Sequence, residues 1–256
     1  MLLLAELSAA SKMSNDELEG IIVRAQDFFR DVIMPSHLNN TRKLVKIKQF
    51  NLNPFLDKYK ANFLTGNDDP RSIAKALIYP RVLGTSINTT FGNELQKFCI
   101  TVLDGFASTT SGIDVEFIDK IDGHRKYCQI KAGPNTINKD DVATIKDHFK
   151  GIKNLARTNG LRITDTDLVL GILYGEPNEL SNHYKKIDET HPVIVGQEFW
   201  YRLTGELTFY ERITDAIGEV AKEVDASEII EEVIDHLAIE VANKLRVKSS
   251  SEVLND

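Results

Sequence analysis

Four polar residues in the stretch SGIDVEFIDKIDGHRKYCQIKAGPNT, Ser111 to Thr136, alternate with apolar ones: Asp114 and Glu116 in one run, Gln129 and Lys131 in the next. Carboxylates and an amide carbonyl are hard oxygen ligands of the kind Mg²⁺ takes, and Mg²⁺ keeps waters of its own. A lysine held beside them can orient or deprotonate one of those waters, and cation and desolvation together would lower its pKa. The cation can neutralise charge developing on a phosphodiester under in-line attack. Metal-assisted phosphodiester hydrolysis is the reaction class that uses all these parts together.

The four side chains do this work only if the backbone gathers them. Asp122-Gly123 is a two-residue hairpin turn signal. That turn sets Val115 opposite Ile130 and Phe117 opposite Cys128 on one face. Glu116 then faces Gln129, and Asp114 faces Lys131, on the other. Opposed side chains have Cβ atoms about 4.5–5.5 Å apart, so one register makes a single polar patch. The plain alternative is a solvent-exposed hairpin face with a cross-strand Asp–Lys pair. Two neighbours weigh against it. Ala132-Gly133-Pro134 lets the chain pass close by the patch, and the next strand, TDLVLGILYG, is almost wholly apolar. Such a strand belongs in a covered sheet, where unpaired charge is costly and a cation would relieve it.

Around this centre the periodicities predict helices, a hairpin, a helix, strands and helices again, an α/β arrangement with a small mixed sheet. Ser14 and Glu17 have capping-box spacing before a helix that Pro35 is expected to end. Asn53-Pro54 marks short helices and turns; another helix starts near Pro70 and stops near Pro80. TTFGNELQKFCITVLDGF is a buried helix with Glu94 near its beginning. Asn138 is an N-cap, with Asp140 and Asp141 in the first turn of the helix after the hairpin. PVIVG is a short strand, and KSSSEVLND a frayed end. The expected division is 1–84, an N-terminal helical region; 85–217, the catalytic core; and 218–256, an acidic helical region, packed as one compact domain.

The 256 residues, 42% hydrophobic and 27% charged, suit a globular protein. No apolar run reaches bilayer length. MLLLAELSAASK lacks a basic segment and is broken by Glu6, which points to a cytoplasmic protein rather than a secreted one. Cys99 and Cys128 form no metal-binding spacing and are expected as small core residues. The formal charge is −7, but Glu206 to Glu240 holds eleven acids against Arg212 and Lys222, a local −9 that leaves +2 for the rest. That remainder includes the basic run TRKLVKIK, with Arg42, Lys43, Lys46 and Lys48, so charge permits a DNA partner. There is no Walker loop and no G-x-G-x-x-G, hence no nucleotide cofactor is expected.

Asp114 in SGIDVEF followed by CQIKAG resembles the motif of the PD-(D/E)XK nucleases, and within them the type II restriction endonucleases. Gln129 stands where Glu or Asp is commoner, a Q-x-K variant that leaves one anionic ligand missing. QIKAGPNTIN with its following helix, VLGILYGEPN and VGQEFWYRLTG resemble successive segments of enzymes that cut interrupted GG–CC palindromes, over roughly 85–217. The resemblance implies a restriction-endonuclease-like core flanked by helical extensions, acting with Mg²⁺ on double-stranded DNA as a homodimer. It implies Asp114 and Gln129 as metal ligands and Lys131 as the residue serving the attacking water. Glu116 or Glu94 would compensate for the missing acid. Asn135, Thr136, Asn138 and Lys139 are candidate DNA contacts, against plainer roles as turn former and helix cap. A repair or structure-selective nuclease, and a noncatalytic interaction module, are the competing readings.

Overall fold

The computed structural model describes residues 12–252, with side chains described from 12 to 245. The apolar N-terminal patch that suggested a cytoplasmic start lies, up to Ser11, outside the described residues. Helices α1 (Asn15–Phe28), α2 (Met34–Arg42), α3 (Pro54–Thr65), α4 (Pro70–Pro80) and α5 (Ile87–Val102) come first. They lead to strands β1 (Val115–Ile118) and β2 (Arg125–Lys131), then α6 (Lys139–Thr158), β3 (Leu168–Ile172), α7 (Asn182–Asp188) and β4 (Val193–Val195). Helices α8 (Gln197–Thr204), α9 (Phe209–Val220) and α10 (Ser227–Glu252) follow. No helix among the described residues is long and apolar enough to cross a membrane.

The prolines expected to stop helices do not. A wide π-type turn, Phe29–Ile33, precedes Pro35, and another, Arg81–Ser86, follows Pro80, so helical winding continues through both. A proline removes an N–H and crowds the carbonyl one turn back; at Pro35 the turn before it is the wide one, which accommodates that misfit. Residues 248–252, expected to fray, extend α10 instead. Where side chains set the boundary, it falls as expected. Ser14 and Glu17 exchange bonds at α1, and Asn138 caps α6 reciprocally with Asp141. Asn53 caps α3, which Gly66 ends with φ of 79°.

Contacts group the described chain into two units: one holds residues up to Phe28 with Glu94–Glu219, the other Phe29–Asn93 with the chain from Val220 on. The first contains a mixed sheet in the order β1-β2-β3-β4, antiparallel at β1/β2 and parallel thereafter. Parallel neighbours need crossovers, which α6 and α7 supply. Every residue of β3 is buried, as its apolar sequence requires. One face of β3, Leu168, Leu170 and Ile172, packs with Ile145, Phe149 and Ile152 of α6. The other lies on α8. A Cβ on Gly171 would stand 2.7 Å from the Phe199 ring, so glycine is what admits that ring. Phe199 and Trp200 are core residues, and both cysteines are buried and free.

The second unit is helical. Ile73, Ile78, Ile234 and Leu237 bury the α4/α10 seam. Arg71 ties its rim to Glu231 at 2.5 Å and to Asp235 at 2.7 Å.

Candidate active site

The hairpin register differs from the expected one by two residues. Val115 pairs with Cys128 and Glu116 with Tyr127, so Asp114 falls beside Gln129 rather than Lys131. The cause lies in the turn. Asp119, completely buried, accepts from the Ile121 amide at 2.8 Å and from Arg202 Nη1 at 2.8 Å. Its own N–H donates to His124 O, and Asp122 is drawn to Lys126 Nζ at 2.7 Å. Asp119–His124 thus closes as one six-residue loop around a buried carboxylate, and Asp122-Gly123 is only its second half. An even-numbered shift keeps every side chain on its face. Val115, Phe117, Cys128 and Ile130 are buried, while Glu116, Gln129 and Lys131 share the half-buried side.

Asp114 is fixed at the rim of this face. Its N–H donates to Cys128 O at 3.0 Å, and its Oδ2 accepts from the Ile130 amide at 2.6 Å. The carboxylate therefore reaches onto β2 between the positions of Gln129 and Lys131. Burial raises its pKa above the usual aspartate range, partly offset by the Ile130 bond and the charges of Lys131 and His148. Gln129 Oε1 is buried and accepts no hydrogen bond. Burial, aided by the nearby Asp114 charge, also pushes up the thiol pKa of Cys99 on α5 and of Cys128.

The other candidates stand differently. Glu116 directs its carboxylate to Ser108 at 2.6 Å, Thr110 at 3.3 Å and Arg125 at 3.2 Å. Glu94 is half-buried in the middle of α5 rather than near its beginning, on the helix that carries Cys99. In the following loop Asn135 donates to Glu179 O at 3.4 Å. Thr136 donates to Gly133 O and bonds the Tyr184 hydroxyl. The Asn138 carbonyl caps α6 by accepting from Asp140 and Asp141 amides. Lys139 is exposed.

One neighbour escaped the sequence reading. His148 of α6 packs on Gly112, where a Cβ would meet the ring at 2.7 Å; the glycine has φ of 81°. Its Nδ1 is buried without a hydrogen bond. The available signal was its place on the apolar face of α6, three residues after Ile145, but that spacing describes core packing equally well.

A hard cation suits this donor set. Asp114 brings one carboxylate, Gln129 an orphaned amide oxygen, and burial makes a counter-charge favourable. No cluster of three or more His, Cys, Asp or Glu able to hold a metal occurs among the described residues. One carboxylate and one amide oxygen are a sparse donor set, and Mg²⁺, which keeps several waters of its own, is the hard cation such a set suits.

A four-stranded mixed sheet flanked by helices is a restriction-endonuclease-like α/β fold. The chain belongs to the family of the type II restriction endonuclease EcoO109I, whose family model matches residues 21–225. No curated protein matches it. Membership implies a site-specific deoxyribonuclease with DNA as its substrate.

Proposed function

We propose that this protein is a Mg²⁺-dependent restriction endonuclease that cuts both strands of a short palindrome as a homodimer, with Asp114, Gln129 and Lys131 at each centre. The observation that supports the reading is the buried, unpartnered Gln129 Oε1 on the strand whose Ile130 amide donates to the Asp114 carboxylate. Asp114 and Gln129 would hold the cation through oxygen. Lys131, on the same face and close enough to lower the Asp114 pKa, orients the attacking water. Bound Mg²⁺ supplies charge neutralisation on the scissile phosphate. Glu116, engaged with Ser108, Thr110 and Arg125, supports the strand more readily than the metal. Glu94, half-buried on α5, would be the further acid serving the site.

Asn135 and Lys139, both exposed, are the residues after β2 proposed to meet DNA. Thr136 and Asn138 shape that loop through their internal bonds.

A palindrome presents two equivalent strands, which a two-fold dimer matches. One exposed face of the second unit supports self-association. Phe55, Tyr59 and Phe63 are 90%, 64% and 82% exposed along α3. Pro54 and Lys58 of the same helix line an apolar hollow of about 490 Å³ with Ile47, Leu52, Ile73 and Val241. An exposed aromatic ridge with a hollow lined by the same helix is the kind of surface that self-association covers.

Incubation with unmethylated and methylated phage DNA plus Mg²⁺, followed by sequencing of fragment ends, tests the proposal. Discrete fragments blocked by methylation are expected. Methylation-insensitive nicking at branched or damaged sites would instead make it a repair nuclease of the same fold.

A further inference from the structure

The basic run Thr41–Lys48 takes no part in the site above. Of its cations only Lys46 has an acid within ion-pair distance among the described residues, Glu240 at 3.8 Å. Lys43 Nζ is instead steered by Asn40 Oδ1 at 3.3 Å, and Asn40 Nδ2 is held by Thr90 Oγ1 at 3.3 Å. These side chains wall a hollow of about 230 Å³ whose lining includes Asn40, Lys43, Gln49, Arg81, Thr85 and Thr89, with no Asp or Glu. In a chain of net charge −7, an acid-free concavity with two cations needs explaining.

The local backbone builds it. Arg81, Thr85 and Thr89 follow one another at four-residue steps along the wide turn Arg81–Ser86 and into α5. Such steps drift around an ordinary helix of 3.6 residues per turn; a wider turn cancels part of the drift and keeps the three on one strip. Two cations, amide groups and hydroxyls are the side chains that contact phosphate and sugar oxygens in nucleic-acid complexes. The hollow is smaller than the roughly 300–1,000 Å³ of small-molecule sites, and its lining is polar where theirs is mainly apolar.

We propose that this hollow grips the phosphodiester backbone of the DNA substrate, a contact separate from the Asp114 centre. The proposal rests on the DNA-endonuclease reading. Each phosphate neutralised steepens the salt dependence of binding by about 0.9 in log–log slope, whatever the base sequence.

The test is fluorescence anisotropy with the full-length protein and two unrelated labelled duplexes in EDTA, titrated across salt concentration. The double variant Lys43→Gln/Arg81→Gln is expected to flatten the slope by about 1.8 per protomer, about 3.6 for the homodimer, and to weaken both duplexes equally. Lys43→Gln alone should give about half that change. The charge-keeping pair Lys43→Arg/Arg81→Lys should retain the wild-type slope, and thermal melts confirm that each variant is folded. An unchanged slope in the folded double-Gln variant, with salt-dependent binding by the wild type, overturns this contact alone. Absence of salt-dependent DNA binding by the wild type overturns the endonuclease reading with it.

Discussion

Asp114 bears a cost that a cation would remove. Its pKa is raised chiefly by burial, so the folded protein holds this proton more tightly than the unfolded chain does. The sign follows from linkage: metal-free stability rises as pH falls toward the raised value, and the gain levels off below the unfolded value near ~3.9. Above the raised value the full penalty for ionisation is present. Urea melts of metal-free protein from neutral to acidic pH should therefore show this gain, and Asp114→Asn should remove that component. Under the proposed function Mg²⁺ would act on the same charge. At a hundred times its dissociation constant it should stabilise wild type by about 2.7 kcal/mol, and Asp114→Ala not at all, as calorimetric melts would show. Cleavage by Asp114→Ala and Lys131→Ala should fall by at least about 10²-fold while duplex binding persists. Gln129→Glu adds the missing anionic ligand. It should lower the Mg²⁺ concentration for half-maximal cutting by about tenfold, since ligand charge tunes affinity in such sites. An unaltered Mg²⁺ requirement in Gln129→Glu would remove Gln129 from the cation's shell.

At the level of elements, the register of β1 on β2 depends on one buried carboxylate. Asp119 fastens the loop through the Ile121 amide and fastens α8 through Arg202. Asp119→Ala leaves the guanidinium partly buried without this partner and the Ile121 amide unsatisfied. A loss of about 3 kcal/mol in denaturant unfolding is expected, larger than for a surface ion pair of the Lys153–Asp165 kind. The hairpin shows why faces are easier to read than partners. Alternation assigned Val115, Phe117, Cys128 and Ile130 to the core side, and that holds. The partners follow from the turn, where Asp119 is indistinguishable in sequence from a solvent-facing loop acid. Helix starts were legible for the same local reason, because Ser14 and Asn138 act within their own turn. Helix stops at Pro35 and Pro80 were not, since the wide turns depend on packing that continues the winding.

For the whole molecule, the helices from Phe29 to Asn93 join the chain from Val220 in one unit, through seams such as Arg71 on Glu231 and Asp235. The acidic C-terminal segment thus answers basic residues far away in sequence. If the exposed α3 ridge is the dimer surface, Phe63→Asp should convert dimers to monomers in sedimentation velocity. Palindrome cutting should then require higher enzyme concentration, while Asp114→Ala dimers stay intact. A Phe63→Asp protein that sediments as a dimer would move the interface elsewhere.

The sequence by itself determined the α/β order, the face on which Gln129 and Lys131 lie, and the caps of α1 and α6. These follow from spacing and side-chain type, which act over a few residues. Only the tertiary structure decided that Asp114 sits beside Gln129, that Glu116 is occupied by Ser108, Thr110 and Arg125, and that His148 stands against the centre. It alone gathered Lys43 and Arg81 around one hollow. Those outcomes require segments distant in the chain to meet. Local periodicity records which way a side chain points, and burial of distant segments against one another decides what it meets there.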